Sequence, residues 1–296
     1  MNPRYCRPSW TLPQGGGRPV AGSPLLQVQS GHFPSETRTA RTTMDLELRD
    51  RIALVTGGAQ GLGRAISLAL AAEGARVAIN YRSSGGPAAT LVNQIEQNYG
   101  VEAMAMQGDV AREDDVEATF AAIEERWGIV DVLVNNAAVC PTCDVKDMPL
   151  DEWTTTVQVN LTGTFLTSRA MIRRLIESKR PGRIVNVSSQ AAFRGSTTGH
   201  APYDASKGGM ISFTVSLARE VAKYGIAVNA VAPGMMRTEM TAKTLDANPA
   251  KYLARIPLGR IADTAEVAAV ITFLASQRSS YMTGATVDVS GGMLMR

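Results

Sequence analysis

The chain has 296 residues, of which 45% are hydrophobic and 19% charged, with a formal net charge of +3. That composition supports a large buried core and excludes an intrinsically disordered chain. No apolar run approaches the ~20 residues needed to cross a bilayer, so no membrane partner is expected. Residues 1–43 hold five arginines against one acid, Glu36, which leaves 25 basic and 26 acidic residues beyond them. The excess positive charge therefore sits in the tail, and the body has no bias towards nucleic acid. Three cysteines, Cys6, Cys140 and Cys143, are too few for a disulfide framework and fit a cytoplasmic location.

In chain order, residues 1–43 come first, with six of the 14 prolines and the run Gly15-Gly16-Gly17. They are expected to form a disordered extension, with Met44 as a candidate natural start. From residue 44 to 296 short apolar runs alternate with amphipathic stretches. The pattern predicts a strand over 52–56, helix over 63–73, strand over 77–81, helix over 88–98, strand over 103–107 and helix over 114–127. It continues with a strand over 132–134, helix over 153–177, strand over 183–187, helix over 203–224, strand over 227–231, helix over 265–276 and strand over 286–289. Continuous apolar strands between helices mean βαβ units, hence a single α/β domain with a doubly wound, Rossmann-type parallel sheet of about seven strands.

Between the first strand and the first helix lies Thr56-Gly57-Gly58-Ala59-Gln60-Gly61-Leu62-Gly63. Glycines at such a turn let the backbone approach a pyrophosphate, which rests on the positive N-terminal end of the helix. About 20 residues on, where enzymes that prefer NAD carry an acid for the ribose 2′-hydroxyl, stands Asn80-Tyr81-Arg82-Ser83. No carboxylate repels a 2′-phosphate there, and the planar fork of Arg82 matches one. NADP(H) is the expected cofactor, with NAD(H) as the alternative; in the bland reading Arg82 is only a solvated loop residue.

The glycine spacing resembles the single-domain branch of the short-chain dehydrogenase/reductase family. Four further motifs of that family follow in order: Asn135-Asn136-Ala137-Ala138, Asn160, Ser189, and Tyr203-Asp204-Ala205-Ser206-Lys207. Ala138 replaces the family's last glycine of the second motif. The resemblance implies an oxidoreductase that moves a hydride between a nicotinamide and a carbonyl or secondary alcohol. It implies Thr56, Gly57, Gln60, Gly61, Leu62, Gly63, Tyr81 and Arg82 along the adenosine and phosphates, Asp109 and Val110 beside the adenine, and Asn136, Ala137 and Ala138 along the ribose. Pro233, Gly234, Met236 and Thr238 are similar to the segment that holds the carboxamide. It further implies Ser189 as the hydrogen-bond donor to the substrate oxygen, with Ser188 as rival, and Asn160 as a helix-breaking residue that holds a water linking Lys207 to solvent.

Hydride transfer leaves an oxygen that must gain or lose a proton. Tyrosine, near ~10 when free, needs positive charge to work at neutral pH. Lys207 lies four residues after Tyr203, on the same helix face, and is expected to lower the phenol, aided by the oxidised nicotinamide. Arg194, His200 and Asp204 flank the pair. Cys140-Pro141-Thr142-Cys143 lacks enough companion ligands for zinc, so no metal is expected, and the segment is read as cleft rim. Residues 239–257, with Met240, Leu245, Tyr252, Leu253 and Ile256, are expected to form a lid with a basic edge. The substrate is expected to be a small carbonyl compound, free or bound to a carrier protein. The motif set most resembles 3-oxoacyl-carrier-protein reductases, with sugar or polyol dehydrogenases as the alternative and a non-catalytic NADP-binding regulator as a distant one. Wide apolar arcs on the helices at 153–177 and 203–224, and exposed methionines at the C-terminus, point to a homotetramer, as in the family.

Overall fold

Four consecutive apolar residues, Ile52-Ala53-Leu54-Val55, are all buried and form β1 (Ile52–Val55) in the computed structural model. The structure describes residues 44–295 apart from Thr197 and Met240, and leaves aside the side chains of Lys243 and Thr244. The extension expected over residues 1–43, and Met240 of the expected lid, lie outside the described residues. After β1 come α1 (Gly61–Ala72), β2 (Arg76–Tyr81), α2 (Gly85–Tyr99), β3 (Ala103–Gln107), α3 (Glu113–Trp127) and β4 (Val132–Asn135). The second half runs α4 (Leu150–Val157), a π-helical turn (Gln158–Thr162), α5 (Gly163–Ser178), β5 (Gly182–Val187), α6 (Ala191–Arg194), α7 (Ala201–Val221) and β6 (Ile226–Pro233). It ends with α8 (Ala242–Ala247), α9 (Pro249–Leu253), α10 (Thr264–Ala275) and β7 (Thr286–Val289).

The seven strands form one sheet in the order β3-β2-β1-β4-β5-β6-β7, every neighbouring pair parallel. Alternation along β1 shows why both faces need helices. Ala53 and Val55 join a cluster with Ile66 and Leu70 of α1, Leu91 and Ile95 of α2, and Val267 and Ile271 of α10. Ile52 and Leu54 join the opposite cluster, with Phe120 and Ile123 of α3, Leu166 and Met171 of α5, and Leu217 of α7. Each large aliphatic side chain closed off this way contributes roughly 1.5–3 kcal/mol. The chain leaves β1 for β2 on one side and returns to β4 on the other, so the strand order reverses between β1 and β4. Ligands of such sheets bind at the carboxyl ends of the strands at that reversal.

Two expectations change. The helix expected over 153–177 is not continuous: the π-helical turn carrying Asn160 divides it into α4 and α5. Inserting one residue into the helical repeat opens hydrogen-bonding positions that a regular helix would use, a device common near functional sites. Of the C-terminal methionines expected to be exposed, Met293 is buried and only Met295 is exposed. The expected lid is two short helices, α8 and α9, whose Leu245 is buried, as is Ile256 just beyond them.

Candidate active site

The carboxyl ends of β1 and β4 are stapled together by one hydroxyl. Thr56 Oγ1 donates to the Val134 carbonyl at 3.3 Å and accepts from the backbone amides of Asn136 at 2.9 Å and Ala137 at 3.0 Å. Asn136 Nδ2 returns bonds to the carbonyls of Thr56 and Gly57 at 3.0 and 3.1 Å. Gly57 holds a left-handed φ of +59°, which favours glycine. At Gly63 the demand is spatial: a Cβ there would lie 2.1 Å from the Gly57 carbonyl oxygen. The glycine loop is thus drawn tight over the start of α1, whose first turn has no acidic residue to oppose an anion.

A cleft of about 500 Å³ runs from this loop to Tyr203. Its walls contain Gly57, Gln60, Gly61, Leu62 and Gly63, then Asn136, Ala137 and Ala138, then Ser189, Tyr203 and Lys207, and finally Pro233, Gly234, Met236 and Thr238. Those sequence-derived candidates therefore meet in one cavity. Thr56 is buried behind the loop, and Val110 is buried where it would meet a Cβ built at Gly163. Tyr81 ends β2, Arg82 follows it and Asp109 follows β3, outside the cleft walls. Arg82 is exposed, 4.0 Å from Asp109 Oδ2, while Asp109 Oδ1 accepts from the Ala111 amide. The residues present fit a dinucleotide: a glycine cradle at a helix N-terminus, an amide-rich turn after β4, and a guanidinium past β2.

The chemical end is anchored from beneath by a buried polar network. Asn135 Nδ2 donates to Asn186 Oδ1 at 2.9 Å, and Asn186 Nδ2 donates to Thr214 Oγ1 of α7 at 2.9 Å, tying β4, β5 and α7 together. Asn160 is fully buried, and its side chain is committed. Oδ1 accepts from the Val139 amide at 2.8 Å, and Nδ2 donates to the Val139 carbonyl at 2.9 Å and to Ser206 Oγ at 3.0 Å. It thus holds the loop after β4 against α7, one residue from Lys207. The two candidate serines part company. Both border the cleft, but Ser188 is buried and its hydroxyl is committed to the Lys207 carbonyl at 2.9 Å, whereas the Ser189 hydroxyl interacts with Tyr203.

Lys207 is 1% exposed, donates from Nζ to the Val187 carbonyl at 2.6 Å, and stands 5.6 Å from the centre of the Tyr203 ring. Burial pulls its ammonium down to about 8, with Cys140 opposing. Tyr203 moves against expectation. Burial, reinforced by Cys140 and Asp204 and opposed by the Ser189 hydrogen bond, pushes the phenol above its ordinary value. Loss of water around a phenolate decides the direction, so Tyr203 is held as a proton-bearing acid. The Cys140 thiol is likewise pushed up to about 11, by burial first and Asp204 second; it and Cys143 are free. His200 Nδ1 faces the Pro141 carbonyl at 3.0 Å and Cys140 Sγ at 3.4 Å, so the rim segment docks on the start of α7. Among the described residues no group of three His, Cys, Asp or Glu side chains gathers as metal ligands.

Glu239 and Thr241 of the cleft belong to the segment expected as a lid, but sequence reasoning passed over two polar cleft residues, Gln190 and Ser196. As ordinary polar residues outside any motif, they carry no spacing signal.

Comparison with known proteins agrees with this arrangement. The family model described as enoyl-(acyl carrier protein) reductase matches residues 57–294. A 3-oxoacyl-[acyl-carrier-protein] reductase of Synechocystis is 42% identical over 249 residues, covering 84% of this chain and 98% of its own. A protein of the same name from Aquifex aeolicus is 40% identical over 250 residues, covering 84% of this chain and all of its own. Among solved structures, a short-chain type dehydrogenase/reductase from Mycobacterium marinum superposes with a TM-score of 0.81 at 31% identity, covering 85% of this chain and 98% of that one. This chain belongs to the short-chain dehydrogenase/reductase family and is an oxidoreductase acting on CH–OH/C=O groups.

Proposed function

We propose that the protein reduces the carbonyl of a small substrate, or oxidises the matching secondary alcohol, with NADP(H) preferred over NAD(H). The observation that carries this reading is the meeting, in one cleft, of the glycine loop with Ser189, Tyr203 and Lys207. A bound nicotinamide dinucleotide would supply or accept the hydride. The chain's own residues manage the oxygen. Ser189 donates a hydrogen bond to it and stabilises the charge that develops there. Tyr203, held protonated by burial, delivers the proton in the reducing direction. Lys207, buried and cationic below about pH 8, favours the phenolate left behind. Asn160 positions Lys207 through the loop after β4 and Ser206.

Arg82 supports the NADP(H) preference, because its exposed fork has only a 4.0 Å ion pair to exchange for a 2′-phosphate. Arg82→Ala is expected to weaken NADP(H) binding about tenfold or more relative to NAD(H), measured by nicotinamide fluorescence titration. Unchanged discrimination would leave the preference without a cause.

For substrate, the relatives' names point to a 3-oxoacyl thioester, and Lys251 and Arg255 in the cleft wall suit an acidic carrier. A sugar or polyol is the second reading, favoured by Thr142, Ser196 and Asp204 in the same wall. A purely regulatory NADP binder has no need of the intact Tyr203 and Lys207. No helix among the described residues is long and apolar enough to cross a membrane, and the free thiols suit our reading of a cytoplasmic protein. The test is a panel of 3-oxoacyl thioesters, sugars and polyols with both cofactors, read by nicotinamide absorbance. Nucleotide binding without turnover on any of them would defeat the proposal.

Trp153 of α4, Phe165 and Ile176 of α5 and Val215 of α7 are exposed apolar side chains. A homotetramer that covers these faces is the assembly we propose. Light scattering is expected to give about four times the chain mass; a monomer would refute it.

A further inference from the structure

The chain leaves β5 through Ser189 and returns at Tyr203 of α7, and those two side chains interact. They are the feet of one loop, so whatever fixes the loop fixes the spacing of the pair. An untied loop samples many conformations, and each tie removes part of that freedom. Near its ends the ties are backbone bonds. The Gln190 amide donates to the Pro233 carbonyl at 3.0 Å, and the Gly199 carbonyl accepts from the Cys143 amide at 2.9 Å. Between them the loop is held by a carboxylate. Asp204 Oδ2 of α7 accepts from the Ser196 amide at 2.6 Å and from the Ser196 hydroxyl at 2.7 Å. A charged acceptor makes such bonds roughly twice as strong as neutral ones. Gly195 turns the chain into this contact with φ +67° and ψ 172°, a conformation essentially confined to glycine. Gly195, Ser196 and Asp204 border the same cleft as Ser189 and Tyr203.

We infer that Asp204 is a positioning residue for the reaction: through Ser196 it pins the loop between β5 and α7, and so keeps Ser189 and Tyr203 aimed at one substrate oxygen. This rests on the hydride-transfer reading above and deepens it. Asp204 Oδ2 is committed to Ser196, so the carboxylate acts on the site through the chain. Catalytic geometry is steep enough for such a tie to matter, since a displacement of about 1 Å can lower a rate about a hundredfold.

The experiment compares the wild type with Ser196→Ala, Asp204→Ala, Asp204→Asn and the double variant Ser196→Ala/Asp204→Ala, on the best-used carbonyl of the panel above. Asp204→Ala is expected to lower kcat about tenfold to a hundredfold. Ser196→Ala keeps the amide bond and the carboxylate charge, and is expected to lower kcat about threefold to tenfold. The double variant should fall no lower than Asp204→Ala, because the two side chains act as one unit. Asp204→Asn retains an acceptor for Ser196 and should recover part of the loss. The Asp204 charge also raises the Tyr203 phenol. Ser196→Ala is free of that effect, and carries the test if an Asp204 variant does not fold. Every folded variant should bind nucleotide stoichiometrically, within a few-fold of the wild-type Kd. Wild-type kcat in Ser196→Ala, losses that add in the double variant, or nucleotide affinity that falls in step with kcat overturns the inference alone. A wild type that binds nucleotide and turns over no carbonyl brings down the hydride-transfer reading, and this inference with it.

Discussion

Replacing Tyr203 with phenylalanine is expected to lower kcat about a thousandfold while the dinucleotide still binds within a few-fold of its wild-type affinity. The magnitude follows from general acid–base catalysis, which contributes roughly 10²–10⁴. Among the described residues, Tyr203 is the proton-bearing side chain that interacts with Ser189. Cys140, pushed up to about 11, holds its proton at neutral pH, but it is also tied to His200 at the rim. The ring of Tyr203 is retained in the variant, so the packing of α7 against the cleft changes little. Steady-state kinetics combined with nucleotide titration separates the two effects. Undiminished turnover would remove the phenol from the mechanism.

Lys207→Met is expected to move activity and stability in opposite directions. Activity should fall at least about a hundredfold, because the phenolate loses its cationic neighbour. Stability should rise. A lysine whose ammonium is pulled from 10.5 to about 8 by burial costs the fold roughly 3 kcal/mol at neutral pH. Methionine fills similar space without that charge, though it leaves the Val187 carbonyl without its donor, at roughly 1–2 kcal/mol. The expected net gain is about 1–2 kcal/mol, or a few degrees in Tm for a domain of this size. The sign with pH is also fixed. Between about 8 and 10.5 the unfolded chain binds a proton at Lys207 that the folded chain does not, so wild-type stability gains as pH rises through that window. The Tm advantage of Lys207→Met should therefore shrink from pH 7 to pH 10. A variant that melts lower than wild type at pH 7 would contradict this account.

What was legible in the sequence follows from how locally each feature is specified. The strands were readable because a parallel sheet covered on both faces needs continuous apolar runs, as at Ile52–Val55 and Ile226–Pro233. The glycine loop and the Tyr203–Lys207 spacing were readable because backbone approach and helical periodicity act over a few residues. The break at Asn160 was signalled only by the family resemblance, since Gln158–Thr162 reads as ordinary helix and the π-helical turn is stabilised by Val139 and Ser206, distant in sequence. The phenol's direction was missed for a related reason. Helical spacing shows that Lys207 is near, but not how far the folded chain desolvates each group, and desolvation decides the sign. Gln190 and Ser196 were invisible because they belong to no motif, and only the folded chain brings them into the cleft wall.

All seven strands run the same way, so the connections divide into two rims with different freedoms. Turns at the amino ends, such as those at Gly100, Gly128 and Gly225, contribute nothing to the cleft. The segments that leave the carboxyl ends of β1, β4, β5 and β6 supply its walls. Grafting a segment from a relative onto the second rim should retarget the enzyme to new molecules, while equal grafts on the first should leave selectivity alone. One scaffold can thus diversify at a single edge while the opposite edge stays silent.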